Sequence, residues 1–160
     1  MRTTLRLFVV SLLLFGCASA DRPVASSQSN GQRIRSLYDA FGRGDIPTVL
    51  ASFDPNIVWV EADNINYADR SPYRGPQAVA DGIFARIGQD WQDFRVNVEQ
   101  IIDGGDTVAT LGRYTATNKS TGKPLNAQFV HVWWLREGKI VRFQQYTDTA
   151  QFARVTGVWR

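Results

Sequence analysis

The chain is poor in the residues that build covalent and metal-bound frameworks: of 160 residues, one is cysteine and one is histidine. A lone Cys17 excludes an intrachain disulfide and a thiolate zinc site, and one histidine among scattered carboxylates lacks the clustering that a metal centre needs. No run of like charge is present to suggest a nucleic-acid surface. There is no internal repeat and no room for a second domain once the N-terminal segment is set aside. What remains is 44% apolar and 21% charged, with five Trp and nine Phe, which predicts a globular core rich in rings.

The N-terminus carries Arg2 and Arg6, an apolar run over residues 7–15 and then small residues through Ala20, the pattern of an export signal too short to span a bilayer comfortably. Leu14-Phe15-Gly16-Cys17 resembles a bacterial lipobox, in which Cys17 would take the lipid. Ala18-Ser19-Ala20 offers a rival cut that would release the chain without one. Removing the signal subtracts two arginines and no acids, lowering the formal charge from +3 to +1. The expected divisions are a signal over 1–20, a polar tether over 21–31, a pocket domain over 32–150 and a tail over 151–160, with the protein in the bacterial envelope or periplasm.

Ile34, Leu37, Tyr38 and Phe41 share one helical face, which Gly42 and Gly44 terminate. Asp45 caps a second helix with Val49, Leu50 and Phe53 inward, ended by Pro55-Asn56. A strand over 57–61 leads into a polar loop over 62–74, and Gly75-Pro76 opens a third helix with Val79, Ile83 and Ile87 on one face. After Asp90 the period becomes two, and four strands follow with short turns, the first of them at Asp103-Gly104-Gly105-Asp106. The expected fold is α+β, a curved antiparallel sheet wrapped around N-terminal helices.

In the last hairpin, a type I turn with a bulge at Gly138 sets Leu135 opposite Lys139 and puts Phe129, His131 and Trp133 on one face with Val141, Phe143 and Gln145. A two-residue turn would pair His131 with Gln144 instead. Val130, Val132 and Trp134 make the other face apolar as well, which predicts a homodimer through it.

Tyr38-x-x-Phe-x-x-Gly-Asp45, Trp59-x-Glu61, Tyr73-x-Gly75-Pro76, Gly104-Gly105-Asp106-x-Val108, Gly112-x-Tyr114, Thr121-Gly122-Lys123-Pro124 and His131-x-Trp133 through Gly138-Lys139-Ile140 resemble the SnoaL-like group. That group is related to ketosteroid isomerases and belongs to the nuclear-transport-factor-like superfamily. The resemblance covers roughly residues 32–150 and implies a cone with an apolar cavity at its open end. It does not fix an activity, because isomerases, cyclases, dehydratases and inert pockets share the fold. In the cyclases an aspartate fourteen residues after a pocket histidine acts as acid and base. His131 matches the histidine, but Gln145 stands at the aspartate's place and cannot exchange a proton.

The candidate catalytic residues are His131 and Glu61. His131 is either poised for proton transfer or a buried neutral ring bonded to a neighbour such as Gln145. Glu61 is either a pocket base with its pKa raised by apolar walls or a rim residue paired with Arg70 or Arg74. Trp59, Tyr73, Tyr114, Phe129, Trp133, Phe143 and Gln145 are the candidate ligand-binding set. Tyr73 and Tyr114 could also donate to a developing enolate oxygen. Asp148 reads as the cap of a short C-terminal helix. Two functions follow: a module holding a small hydrophobic molecule without reacting it, or an isomerase, dehydratase or cyclase needing no cofactor. A purely structural dimer would require a filled cone. A membrane is engaged only through a lipid on Cys17.

Overall fold

The structure is a computed structural model that describes residues 28–158. The signal, the lipobox and most of the tether therefore lie outside the described residues.

Helix α1 (Asn30–Gly42) begins inside the stretch expected to be tether. Ser29 accepts from the Gln32 backbone N–H while the Gln32 side chain accepts from that of Ser29, a reciprocal capping box that satisfies two end donors. Helix α2 (Ile46–Ala51) is capped by Asp45 and stops earlier than expected. Phe53 belongs instead to β1 (Phe53–Val60), where it is buried on the strand's inner side. The loop read as polar is ordered: a 3-10 turn (Asn66–Arg70) and the short β2 (Tyr73–Arg74) bury Ile65, Tyr67 and Tyr73. Helices α3 (Pro76–Val79) and α4 (Ala85–Asp90) flank a π-helical segment over Ala80–Phe84, so the third predicted helix is one rod with a widened middle. Gly82 permits this rod to approach the Tyr73 ring, for an added Cβ would lie 2.2 Å from its Cε1.

Strands β3 (Trp91–Asp103), β4 (Thr107–Asn118), β5 (Pro124–Arg136) and β6 (Lys139–Thr147) complete a six-stranded sheet in the order β2-β1-β6-β5-β4-β3. All neighbours are antiparallel except β1 and β6, which run parallel, a pairing that the expectation of a wholly antiparallel sheet missed. The last turn is also different from the one expected. Glu137 and Gly138 both have positive φ, at 51° and 75°, which makes a two-residue type I′ turn that sets Arg136 opposite Lys139 and Leu135 opposite Ile140. The register then shifts between Leu135 and Trp134, whose partner is Arg142, so Val141 is the extra residue. This later bulge sets His131 opposite Gln145, two residues on from the Phe143 that the expected turn would have placed there, and both registers keep these side chains on one face. Helix α5 (Thr149–Thr156), capped by Asp148, closes one end through the buried Phe152. One continuous buried cluster joins α1, the rod and the inner face of the sheet.

Candidate functional site

The period of two along β5 turns Phe129, His131 and Trp133 inward, and β6 brings Phe143 and Gln145 beside them. β1 delivers Trp59 to the same side, its ring stacked on Phe143 with centroids 3.7 Å apart, and Glu61 follows at the strand's end. Helix α1 lies across these residues with Leu37, Tyr38 and Phe41, and the rod adds Ile83, Phe84 and Ile87. Together with Ile65, Tyr67, Phe94, Val96 and Phe152, all of these residues but Phe129 line a cavity of about 60 Å³.

In and just behind the apolar wall, six side chains are joined by hydrogen bonds into one chain. Tyr38 Oη lies 2.6 Å from both Thr110 Oγ1 and His131 Nδ1. Trp133 Nε1 donates to Tyr38 Oη and Thr110 Oγ1, each at 3.2 Å. Tyr114 Oη bonds His131 Nε2 and accepts from Gln145 Nε2, the latter at 2.8 Å. Gln145 Oε1 in turn accepts from the Ala62 N–H at 3.3 Å. Burial drives His131 down to about 3, so the imidazole is neutral and both ring nitrogens are engaged by phenols, not by Gln145. Burial likewise raises the hydroxyls of Tyr38 and Tyr114, with the Glu61 charge adding to the second.

Glu61 is 3% exposed, which corrects its reading as a rim residue paired with Arg70 or Arg74. Its Oε1 accepts from Trp59 Nε1 at 2.5 Å, and its backbone N–H donates to Ser71 Oγ. Burial pushes the carboxyl up to about 7, against the lowering effects of the Trp59 bond and the Arg86 charge. The result is a carboxyl in an apolar wall that changes charge near neutral pH.

Of the sequence-derived set, Trp59, Glu61, Tyr114, His131, Trp133, Phe143 and Gln145 line the cavity. Two residues do not. Tyr73 donates its hydroxyl to the Tyr67 carbonyl at 2.7 Å and packs against Gly82, holding the 3-10 turn in place. Phe129 stacks on His131 with centroids 4.1 Å apart, one layer behind the wall. Thr110 and Tyr38 are the polar members that sequence reading passed over. Tyr38 was visible only as the one hydroxyl on an apolar helical stripe, and Thr110 as an inward position of an alternating strand. Among the described residues no three His, Cys, Asp or Glu side chains cluster as metal ligands would.

Residues 34–143 match the SnoaL-like domain family. The chain belongs to that family. Among solved structures this SnoaL-like domain is similar to an NTF2-like protein from Burkholderia thailandensis, with 32% identity and a TM-score of 0.77 over 81% of this chain and 98% of the other. It is also similar to TerC co-crystallised with polyporic acid, at 25% identity and a TM-score of 0.72 over 81% and 98%. The same fold recurs in a protein of ketosteroid isomerase-like fold from Catenulispora acidiphila in complex with trimethylamine, at 16% identity and a TM-score of 0.67 over 79% and 93%. None of the curated proteins matches it.

Proposed function

We propose that this SnoaL-like domain binds a small hydrophobic molecule in its cone and that Glu61 moves a proton on it, in a cofactor-independent reaction of the isomerase, dehydratase or cyclase kind. The observation that carries this reading is the buried Glu61 carboxyl in the cavity wall, with a pKa of about 7. A base for removing a proton beside a carbonyl works best when its pKa lies near the working pH, and apolar burial supplies that. His131 is not the base in this scheme, because a ring with a pKa of about 3 and two phenol partners stays neutral.

The first test is exchange of α-protons of small cyclic ketones in D2O, followed by NMR. Wild type is expected to accelerate exchange, and Glu61→Gln to lose roughly 100-fold or more of that acceleration. Binding without acceleration would favour the second reading, a carrier that leaves its ligand unchanged. Gln145 at the cyclase aspartate's position supports that alternative. The similarity to TerC, solved with polyporic acid, supports an organic occupant in either case.

We also propose export with a lipid on Cys17, motivated by the lipobox-like Leu14-Phe15-Gly16-Cys17. Labelled palmitate is expected to enter the wild-type chain and not Cys17→Ala; equal labelling of both would refute it. The homodimer is proposed through the outer sheet face, where Val130, Val132 and Trp134 are half-buried in the single chain. Sedimentation is expected to give twice the chain mass, and Val132→Glu to halve it. A monomeric wild type would remove the dimer.

A further inference from the structure

The polar chain in the wall can be assigned proton by proton: either assignment leaves one hydroxyl proton without a partner inside the chain, and the two differ in where that proton lies. The Ala62 N–H fixes Gln145 Oε1 as acceptor, so Gln145 Nε2 must donate to the Tyr114 oxygen. Neutral His131 carries a single ring N–H, on Nδ1 or on Nε2. If it sits on Nδ1, it donates to the Tyr38 oxygen, and the Tyr38 proton can then go only to Thr110 Oγ1. The Thr110 proton is left facing Tyr38, whose own proton points back at it, and Trp133 Nε1, which has no lone pair to offer. Thr110 is 0% exposed, and stranding a buried hydroxyl costs about 1–3 kcal/mol.

With the proton on Nε2 the spare proton passes from Thr110, which lies off the cavity, to Tyr114, which lines it and can offer the proton to an occupant. Tyr38 donates to Nδ1, Thr110 donates to the Tyr38 oxygen, and the Trp133 N–H is shared between the two oxygens. At the other end the Tyr114 oxygen now accepts from both His131 Nε2 and Gln145 Nε2. Its own proton can point at neither donor and is left at the cavity wall, which Tyr114 lines together with Glu61.

We propose that His131 is a positioning residue, held as its Nε2–H tautomer by Tyr38 and Thr110, and that it keeps the Tyr114 hydroxyl proton turned into the cavity, so that the site selects molecules whose polar end is a hydrogen-bond acceptor. The selection of a ligand rests on the pocket reading given above; the tautomer does not. Thr110 sets the proton's place although it does not touch the cavity, and Gln145 takes a role the cyclase aspartate could not fill, since an ionised carboxylate has no N–H to give Tyr114.

The chain's single histidine gives one imidazole spin system, so 15N NMR of the wild-type protein at neutral pH reads the tautomer without a variant. The expected result is a protonated Nε2 and an unprotonated Nδ1; the reverse, or an imidazolium, overturns the proposal. In a second arm, cyclohexanone and methylcyclohexane are titrated into wild type and Tyr114→Phe, with 13C NMR reporting binding. The preference for the ketone over the hydrocarbon is expected to fall about tenfold in the variant, the loss of one hydrogen bond at the upper end of its usual worth. An unchanged preference overturns the role of Tyr114. If neither probe binds wild type, ligand selection falls together with the pocket reading, whereas a wrong tautomer with ketone binding intact overturns this inference alone.

Discussion

Replacing Glu61 with Gln is expected to stabilise the fold increasingly as pH rises, the variant gaining on wild type by roughly 2–3 kcal/mol between about pH 5 and about pH 8. The cause is that the folded state holds a proton which the unfolded chain has already released. Glu61 titrates at about 7 when folded against an ordinary value of 4.5, so its protonated form favours the native state. That contribution is complete below about 4.5 and is lost as pH rises through about 7. His131 has the opposite sign. Its pKa falls from 6.5 to about 3 on burial, so its contribution is present above about 6.5 and drains away as pH falls toward 3. The two partly cancel in wild type between about pH 5 and about pH 8, which leaves a nearly flat profile. Removing Glu61 uncovers the rise that His131 produces. Urea titrations of both proteins across this range measure the difference directly; parallel profiles would mean that Glu61 titrates as an ordinary surface carboxylate.

Gly112→Ala is expected to cost about 3 kcal/mol or more and to disturb the cavity wall. A Cβ at this position would lie 2.1 Å from the Asn97 backbone oxygen on β3 and 2.9 Å from Phe129 Cζ. A backbone oxygen cannot rotate aside, so β3 must move, and overpacking of this kind typically costs 1–3 kcal/mol with larger values where the backbone shifts. β3 already carries a register shift between Val98 and Gln100 beside Gly112, which marks where the sheet bends. Phe129 occupies the space a side chain would take and from there stacks on His131. The natural control is Gly88→Ala in helix α4, where an added Cβ meets nothing within 4 Å and alanine is worth roughly 0.5–1 kcal/mol over glycine. Thermal melts that lowered both variants equally would refute the packing argument.

Much of the site's composition could be read before the fold was known, and its wiring could not. Alternation along residues 129–133 sets Phe129, His131 and Trp133 on one face whatever the rest of the chain does, because strand geometry turns successive side chains to opposite sides. A bulge at the turn was expected to set Leu135 opposite Lys139, and hence His131 opposite Phe143, yet the turn is type I′, the bulge lies at Val141 and His131 faces Gln145. The register therefore differs from the expected one by two residues, an even slip that keeps His131, Phe143 and Gln145 on one face while changing their partners. Tyr73 and Phe129 illustrate the limit in the other direction. Both are buried aromatic residues beside the site, but neither lines the cavity, and burial alone does not say which layer a ring occupies.

The sequence by itself determined the element order, the amphipathic faces, the caps at Asp45 and Asp148 and the membership of the inner face, since these follow from local periodicity and from side chains acting on their own backbone. The tertiary structure alone decided the parallel pairing of β1 with β6, the burial of Glu61 and the meeting of Tyr38 on α1 with His131, 93 residues away. Those depend on which distant surfaces close over one another. The desolvation that brings a carboxyl to about 7 and an imidazole to about 3 exists only once that closure has excluded water.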